Sequence, residues 1–506
     1  MILPRYLAEL QQVIEGHAKS YNLDFFDVIF EILSYEEINM VAAYGGFPTR
    51  YPHWRFGMEY EELKTAYTYG LQKIYEMVIN NDPCYAYLLE GNSLVDQKIV
   101  MAHVFAHCDF FKNNVWFRDT NRKMMNTMAN HGTRVRRYMS KHGVDEVEGF
   151  LDKCLSMENL IDMHASLIKR REEIKRVKEG EQDNENAIAP LGVHKLPVKR
   201  GYLDPYVNPA EFIEKQKKKK IKERERAKSF PLNPERDVLL FLMEHAPLKR
   251  WQRDVLGMIR EEAYYYSPQG QTKIMNEGWA TYWHSTILTQ KVLTDGEVID
   301  FADHHSGTLG TRPGRLNPYK IGLELFRYIE EKWNKGRCGK EYAECDDSER
   351  KNRWDKRWGQ GRQKIFEVRR LHNDVTFIDE FLDEEFCNNQ KMFGYGYNKQ
   401  SNNWEITERE FKKVKAKLLF GLTNFGQPVI EIVDSNHSNR GELLLMHRYE
   451  GVTLKVDWAQ ATMENLFLVW TRPVLLRTVM DDKHTVLRYD GKDHTAEQVS
   501  SSDGLL

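Results

Sequence analysis

The segment from Leu94 to Phe111 constrains the fold of this chain more than any other stretch. Its apolar residues predict a helix that is largely buried. His103 and His107 are four positions apart within it, and residues four apart on a helix share one face. A buried polar ring needs a partner, and two neighbouring imidazoles can share one cation. The segment therefore predicts a buried helix that can supply two metal ligands.

A third ligand is predicted downstream, where Ile274 to His284 is typical of a second helix. Glu277 stands near its start, as the third ligand does in many zinc peptidases that carry two histidines on one helix. Two alternatives remain open at this level. The histidines can be core residues with ordinary hydrogen bonds, since the chain has 17 histidines. Glu277 can instead be a carboxylate that stabilises the helix terminus.

If this site hydrolyses a substrate, its general base must come from a position other than the one directly after the first histidine. Val104 stands where HExxH enzymes carry their glutamate. Asp109 and Glu262, with Glu261 beside it, are candidates by proximity in sequence, and His305 is a further catalytic candidate in a segment read as a Gly-rich loop. The predicted cofactor is a divalent metal, zinc in the first place, with iron or manganese as alternatives for a carboxylate-rich site.

The chain changes character along its length. Residues 1–170 are typical of a helical domain that carries the histidine pair. Residues 171–235 form a charged insertion or linker, and residues 236–400 are again helical and complete the metal site. Short apolar runs bounded by turns predict a small α+β domain over 405–506. The fold class is therefore α+β, with a large, mainly helical N-terminal region for which a zincin-like arrangement is one form.

Composition excludes several functional classes. With 73 basic and 75 acidic residues, the formal net charge is −2, which argues against a nucleic-acid partner held by bulk charge. The six cysteines form no CxxC pair, so a reducing compartment and cytoplasmic location are predicted. No run of about 18 apolar residues occurs, so no transmembrane segment is predicted.

Several long strings resemble the stage V sporulation protein R (SpoVR) family. The resemblance extends over nearly the whole chain except the charged stretch near 180–230. It is carried by residues 39–61, 75–88, 107–114, 275–280, 304–309, 422–428, 439–443 and 470–474.

The resemblance implies a role in spore cortex formation, or in stress and stationary-phase physiology that involves peptidoglycan. It also implies a PrkA-type serine kinase and a von Willebrand-type protein as partners. The predicted metal site and the resemblance together leave three hypotheses. The metal site favours a metal-dependent hydrolase of the amidase or peptidase type, or an oxidative metalloenzyme, and the resemblance favours a non-enzymatic regulator or scaffold that works with the kinase.

Overall fold

The chain forms two compact units, each discontinuous in sequence. The computed structural model describes residues 3–68, 74–165 and 230–499, together with positions 209, 211, 214 and 215. One unit, the site unit, comprises Met1–Gly149 and Glu261–Gln427; the other, the sheet unit, comprises Phe150–Arg260 and Pro428–Leu506. The linear domain division made from the sequence stays a prediction, and its charged insertion falls mostly outside the described residues.

Helices dominate the site unit. They span Arg5–Ser20, Tyr35–Ala43, Trp54–Thr68, Leu94–Asn113, Met124–His142, Lys273–Ile287, Val298–Thr308, Pro318–Lys335, Lys340–Ala343, Ser348–Asn352, Gly361–Leu371, Asp374–Phe381, Glu384–Asn389 and Phe411–Leu422. Two more, Val144–Leu155 and Arg250–Gln271, contribute residues to both units.

A small mixed sheet accompanies these helices. β1 (Val28–Leu33) runs parallel to β3 (Cys84–Leu89), and β2 (Glu76–Ile79) pairs antiparallel with the other side of β3. β3 is thus the central strand, and it leads directly into the helix Leu94–Asn113. A separate hairpin is formed by β4 (Gly394–Asn398) and β5 (Asn403–Glu408).

The helix Leu94–Asn113, here called the histidine helix, lies at the centre of the site unit's core. A capping box begins it, in which Ser93 accepts from the backbone of Asp96 and Asp96 accepts from the backbone of Ser93. Nearly every side chain from Val95 to Phe111 is buried. A helix that is apolar all round must be enclosed by other elements, and this enclosure fixes the backbone that carries the histidine pair.

The sheet unit contains the helix Val238–His245 and a five-stranded sheet of order β10-β9-β8-β7-β6. Its strands are β6 (Ile430–His437), β7 (Glu442–His447), β8 (Val474–Met480), β9 (Lys483–Tyr489) and β10 (His494–Gln498). β7 and β8 are parallel, and the helix Val456–Trp470 connects them. The α+β class predicted from sequence is confirmed; the zincin-like arrangement stays a prediction.

Three local predictions from the sequence are wrong. The alternating run 452–457 predicts a strand, but the chain leaves the sheet here because parallel neighbours need a crossover connection. Apolar residues at helical spacing from Leu63 predict a helix as far as Met77, but Met77 pairs with Tyr87 in the sheet. His305 lies in the helix Val298–Thr308 rather than in a loop.

The Pro/Gly-containing segment 267–270 predicts a break between two helices, but Pro268 lies inside the helix Arg250–Gln271. The separation comes later, at Thr272, whose hydroxyl donates to the carbonyl of Pro268 over 2.7 Å. Within the described part of the chain, no helix combines the length and apolar character that crossing a membrane requires.

Candidate metal centre

The two histidines present their rings toward one point. His103 and His107 are both buried, with ring centroids 4.4 Å apart and ring planes at 87°. Each ring is held through Nδ1. His103 Nδ1 lies 2.9 Å from Nδ1 of His284, and His107 Nδ1 lies 2.9 Å from Oδ1 of Asn276. The Nε2 atoms are therefore the ones that face the third residue of the cluster.

That residue is Glu277, on the helix Lys273–Ile287, here called the glutamate helix. Its Oε2 atom lies 3.5 Å from Nε2 of His103 and 3.6 Å from Nε2 of His107. Bonds of about 2.1 Å at a tetrahedral angle separate two ligand atoms by about 3.4 Å. The three side chains are thus spaced as ligands of one ion, and their donor atoms all lie within 4.8 Å of one another.

Burial and charge also suit a cation. Oε2 of Glu277 is buried and has no hydrogen-bond donor among the described residues, which is costly for a carboxylate oxygen unless a cation satisfies it. Burial raises the pKa of Glu277, but His103, His107 and Tyr319 outweigh burial and lower the pKa overall. The acid is thus held in its charged form.

The imidazole of His107 is held neutral, as a metal ligand must be. Burial and the neighbouring His103 lower the pKa of His107 to about 4, although Glu277 opposes the shift. Burial likewise lowers the pKa of His284 well below its usual range, with His103 and His305 adding to the effect. Neutral rings leave one nitrogen of each histidine as an electron-pair donor.

Asp374 anchors the start of the glutamate helix. Its Oδ2 accepts the backbone N–H of Ile274 over 2.8 Å, and Oδ1 accepts that of Met275 over 2.9 Å. These bonds satisfy two of the donors that a helix start leaves unpaired. They hold the backbone two residues before Glu277, and thereby the direction of its side chain.

Two further groups lie within electrostatic reach of the cluster. Burial raises the pKa of Glu76, at the start of β2; His103 opposes the shift and Glu277 adds to it, which brings a second carboxyl group into the electrostatic reach of the site. The ring of Tyr319 stacks at 6.2 Å from that of His103. Burial raises the pKa of its hydroxyl, and Glu277 and Glu76 raise it further.

The structure does not bring Asp109 into this cluster. Residues two apart on a helix point about 200° apart, so Asp109 and His107 face opposite sides. Oδ1 of Asp109 accepts the backbone N–H of Asp24 over 2.8 Å, and Oδ2 accepts Nε1–H of Trp279 over 2.9 Å. Burial raises the pKa of Asp109 to about 6, against the lowering effect of Arg369. Asp109 therefore joins the histidine helix to the glutamate helix.

Glu262 belongs to a second buried cluster. Its Oε2 lies 2.5 Å from an Nη of Arg50 and accepts from the hydroxyl of Tyr51 over 3.3 Å. Its Oε1 lies 3.0 Å from Nδ1 of His131, whose Nε2 is 3.4 Å from Glu261. The glycine that follows His131 in the sequence favours a helix C-terminus there, but His131 is buried inside the helix Met124–His142. Both carboxylate oxygens of Glu262 therefore bind residues outside the cluster of His103, His107 and Glu277.

His305 is connected to the cluster indirectly. Its Nδ1 lies 3.2 Å from Nε2 of His284, which in turn contacts His103. His284 is seven positions after Glu277, so a helix puts both on one face, but the sequence indicates no role for it. Asn276, Glu76 and Tyr319 were not predicted as site residues. No spacing signal marks Glu76 and Tyr319, because they come from a strand and a third helix.

Comparison with known proteins places the chain in context. A family model described as SpoVR like protein matches residues 3–427. A curated protein of Escherichia coli (strain K12), described as uncharacterized protein YcgB, is 30% identical over 480 residues, which cover 88% of this chain and 86% of that relative. No solved structure matches.

Proposed function

We propose that this chain, which belongs to the SpoVR family, is a metal-dependent hydrolase with His103, His107 and Glu277 as its metal ligands. One observation carries the proposal: the three donor atoms surround a buried point at the spacing of a shared ion. Two histidines and one glutamate are the protein ligands of a common class of catalytic zinc site, which keeps its fourth position open.

Zinc fits this donor set, and iron or manganese are the alternatives for two imidazoles and a carboxylate. A bound divalent ion would supply Lewis-acid chemistry, polarising a substrate carbonyl and lowering the pKa of water to about 7. The neutral imidazole of His107 and the charged Glu277 have the protonation states that such an ion requires.

Glu76 is the proposed general base, in place of the glutamate that Val104 replaces. A base works best when its pKa is close to the operating pH, and burial moves the pKa of Glu76 upward, in that direction. Tyr319 keeps its proton because its pKa is raised, so its hydroxyl can donate a hydrogen bond to Glu277 and orient that carboxylate.

The proposed substrate is an amide bond in cell-wall material. This choice rests on the sporulation role that gives the family its name, and therefore on relationship and not on the geometry of the site. A PrkA-type serine kinase and a von Willebrand-type protein are proposed as partners on the same basis. A cytoplasmic location is proposed from the sparse cysteines without a CxxC pair.

The direct test is metal analysis of the purified full-length protein. One tightly bound zinc, iron or manganese ion per chain, or rebinding of one Zn²⁺ after chelation, is expected. Release of free amine from purified peptidoglycan by the metal-loaded protein then tests the reaction. Protein that is metal-free and binds no Zn²⁺ overturns the proposal and favours the regulatory role; bound iron with a redox-active spectrum favours an oxidative enzyme.

A further inference from the structure

Three imidazoles form a hydrogen-bonded row that begins at the metal centre. His103 and His284 join through their Nδ1 atoms at 2.9 Å, and Nε2 of His284 lies 3.2 Å from Nδ1 of His305. His103 and His284 are each 4% exposed, whereas His305 is partly exposed. The row therefore runs from the interior toward the outer helix Val298–Thr308.

If His103 binds a cation, the hydrogen bonds along the row must all be donated in one direction. A neutral imidazole donates from one nitrogen and accepts at the other. For Nε2 of His103 to offer its electron pair, the proton must be on Nδ1 and must be donated to Nδ1 of His284. The proton of His284 is then on Nε2 and is donated to Nδ1 of His305. The opposite direction would put a proton on Nε2 of His103, between that ring and Glu277.

The other ligand histidine is held differently. The partner of His107 Nδ1 is the amide oxygen of Asn276, which can only accept, so the proton of His107 is on Nδ1 without further support. His284, by contrast, can donate or accept at the same atom. The tautomer of His284 is therefore decided by its second hydrogen-bond partner, His305.

We propose that His284 is a positioning residue for the metal centre and that His305 sets the tautomer of His284. This inference rests on the proposed metal site. It predicts that metal affinity depends on a side chain two hydrogen bonds away from the ligand His103. The ring of Phe301 stacks on His305 at a centroid distance of 5.3 Å and an interplanar angle of 16°, which fixes that ring against the row.

The test is titration of the metal-free full-length protein with Co²⁺, followed by its visible absorption spectrum. His284→Leu removes the acceptor and is expected to weaken binding about 10- to 100-fold and to change the spectrum, as loss of a partner that orients a metal ligand does. His284→Gln restores an acceptor oxygen and is expected to recover most of the affinity. His305→Leu is expected to weaken binding, but less than His284→Leu.

His304→Leu is the matched control, because His304 is the neighbour of His305 on the same helix but pairs with Asp96 over 2.8 Å. It is expected to bind Co²⁺ as the wild type does. Wild-type affinity and spectrum in His284→Leu would overturn the inference while leaving the metal site intact. Failure of the wild-type protein to bind Co²⁺ would instead overturn the proposed function, and the inference with it.

Discussion

The carboxylate of Glu277 and the imidazole of His107 face each other across 3.6 Å, measured from Oε2 to Nε2. This distance is too long for a strong hydrogen bond between a ring N–H and a carboxylate, which is about 2.7–2.9 Å when charge-assisted. It is close to the separation of two atoms bound to one ion. The structure thus holds the pair apart, although His107 and the Oε2 atom of Glu277 are both shielded from solvent and would gain from a closer approach.

Removal of any single ligand should abolish tight metal binding. His103→Ala, His107→Ala and Glu277→Ala are each expected to weaken Zn²⁺ binding by about 100-fold or more, since each deletes one of three donors. Zinc content after dialysis checks this. His17→Ala is the control, because His17 lies in the first helix outside the cluster. Equal zinc content in the control and all three variants would contradict the assignment.

Glu76→Gln should separate chemistry from metal binding. The substitution keeps the size of the side chain but removes its ability to accept a proton, so hydrolysis of peptidoglycan is expected to fall by about 100-fold or more. Zinc content is expected to stay at the wild-type level. Loss of zinc in this variant would instead indicate that Glu76 is a fourth ligand, and unchanged hydrolysis would remove its role as base.

Gly278 and Gly322 allow close approach of the glutamate helix and the helix Pro318–Lys335. A Cβ added at Gly322 would collide with the backbone carbonyl oxygen of Ile274. An alanine at this position would therefore force the two helices apart. Gly322→Ala is expected to lower the free energy of unfolding by about 2 kcal/mol or more. Urea denaturation measures this, and Gly307→Ala is the control, since its Cβ meets open space.

Glu262→Gln should destabilise the protein without affecting the metal. It leaves the buried charge of Arg50 unpaired, which costs about 3–5 kcal/mol for a pair of this kind. The control is Glu59→Gln in the partly exposed pair with Arg55, where a change of at most about 1 kcal/mol is expected. Unfolding curves and zinc content are measured together; normal stability with lost hydrolysis would restore Glu262 as a catalytic candidate.

The stability of the protein should depend on the protonation of Asp374. Burial raises the pKa of this carboxyl from 3.8 to about 7, although two backbone N–H groups oppose the shift. The folded state binds the proton of Asp374 more tightly than the unfolded state does. Proton binding at Asp374 therefore raises the free energy of unfolding below pH 4, and this gain is lost as pH rises toward 7.

Asp374→Asn removes this titration, so its free energy of unfolding should vary less between pH 4 and pH 7 than that of the wild type. The expected difference is on the order of 1–4 kcal/mol. Denaturant unfolding at several pH values measures it. Parallel pH profiles for the two proteins would show that Asp374 does not titrate in this range.

The sequence by itself determined the local elements and the family. Apolar periodicity is a local property, so the histidine helix and the spacing of His103 and His107 were predictable, as was the change to strands in the last hundred residues. The strands β1 to β3 were missed because β-pairing joins residues far apart in sequence, such as Val28 and Cys84.

Only the tertiary structure decided which polar groups meet. Asp109 is two positions from His107 yet points to the other side of the helix, whereas Glu277 reaches the same ring from a distant segment. Glu76 lies in β2, and β-pairing brings it within electrostatic reach of His103 and Glu277, which its sequence neighbourhood does not reveal. The physical reason is that helix and strand patterns follow from adjacent residues, but a buried polar cluster follows from how whole elements pack.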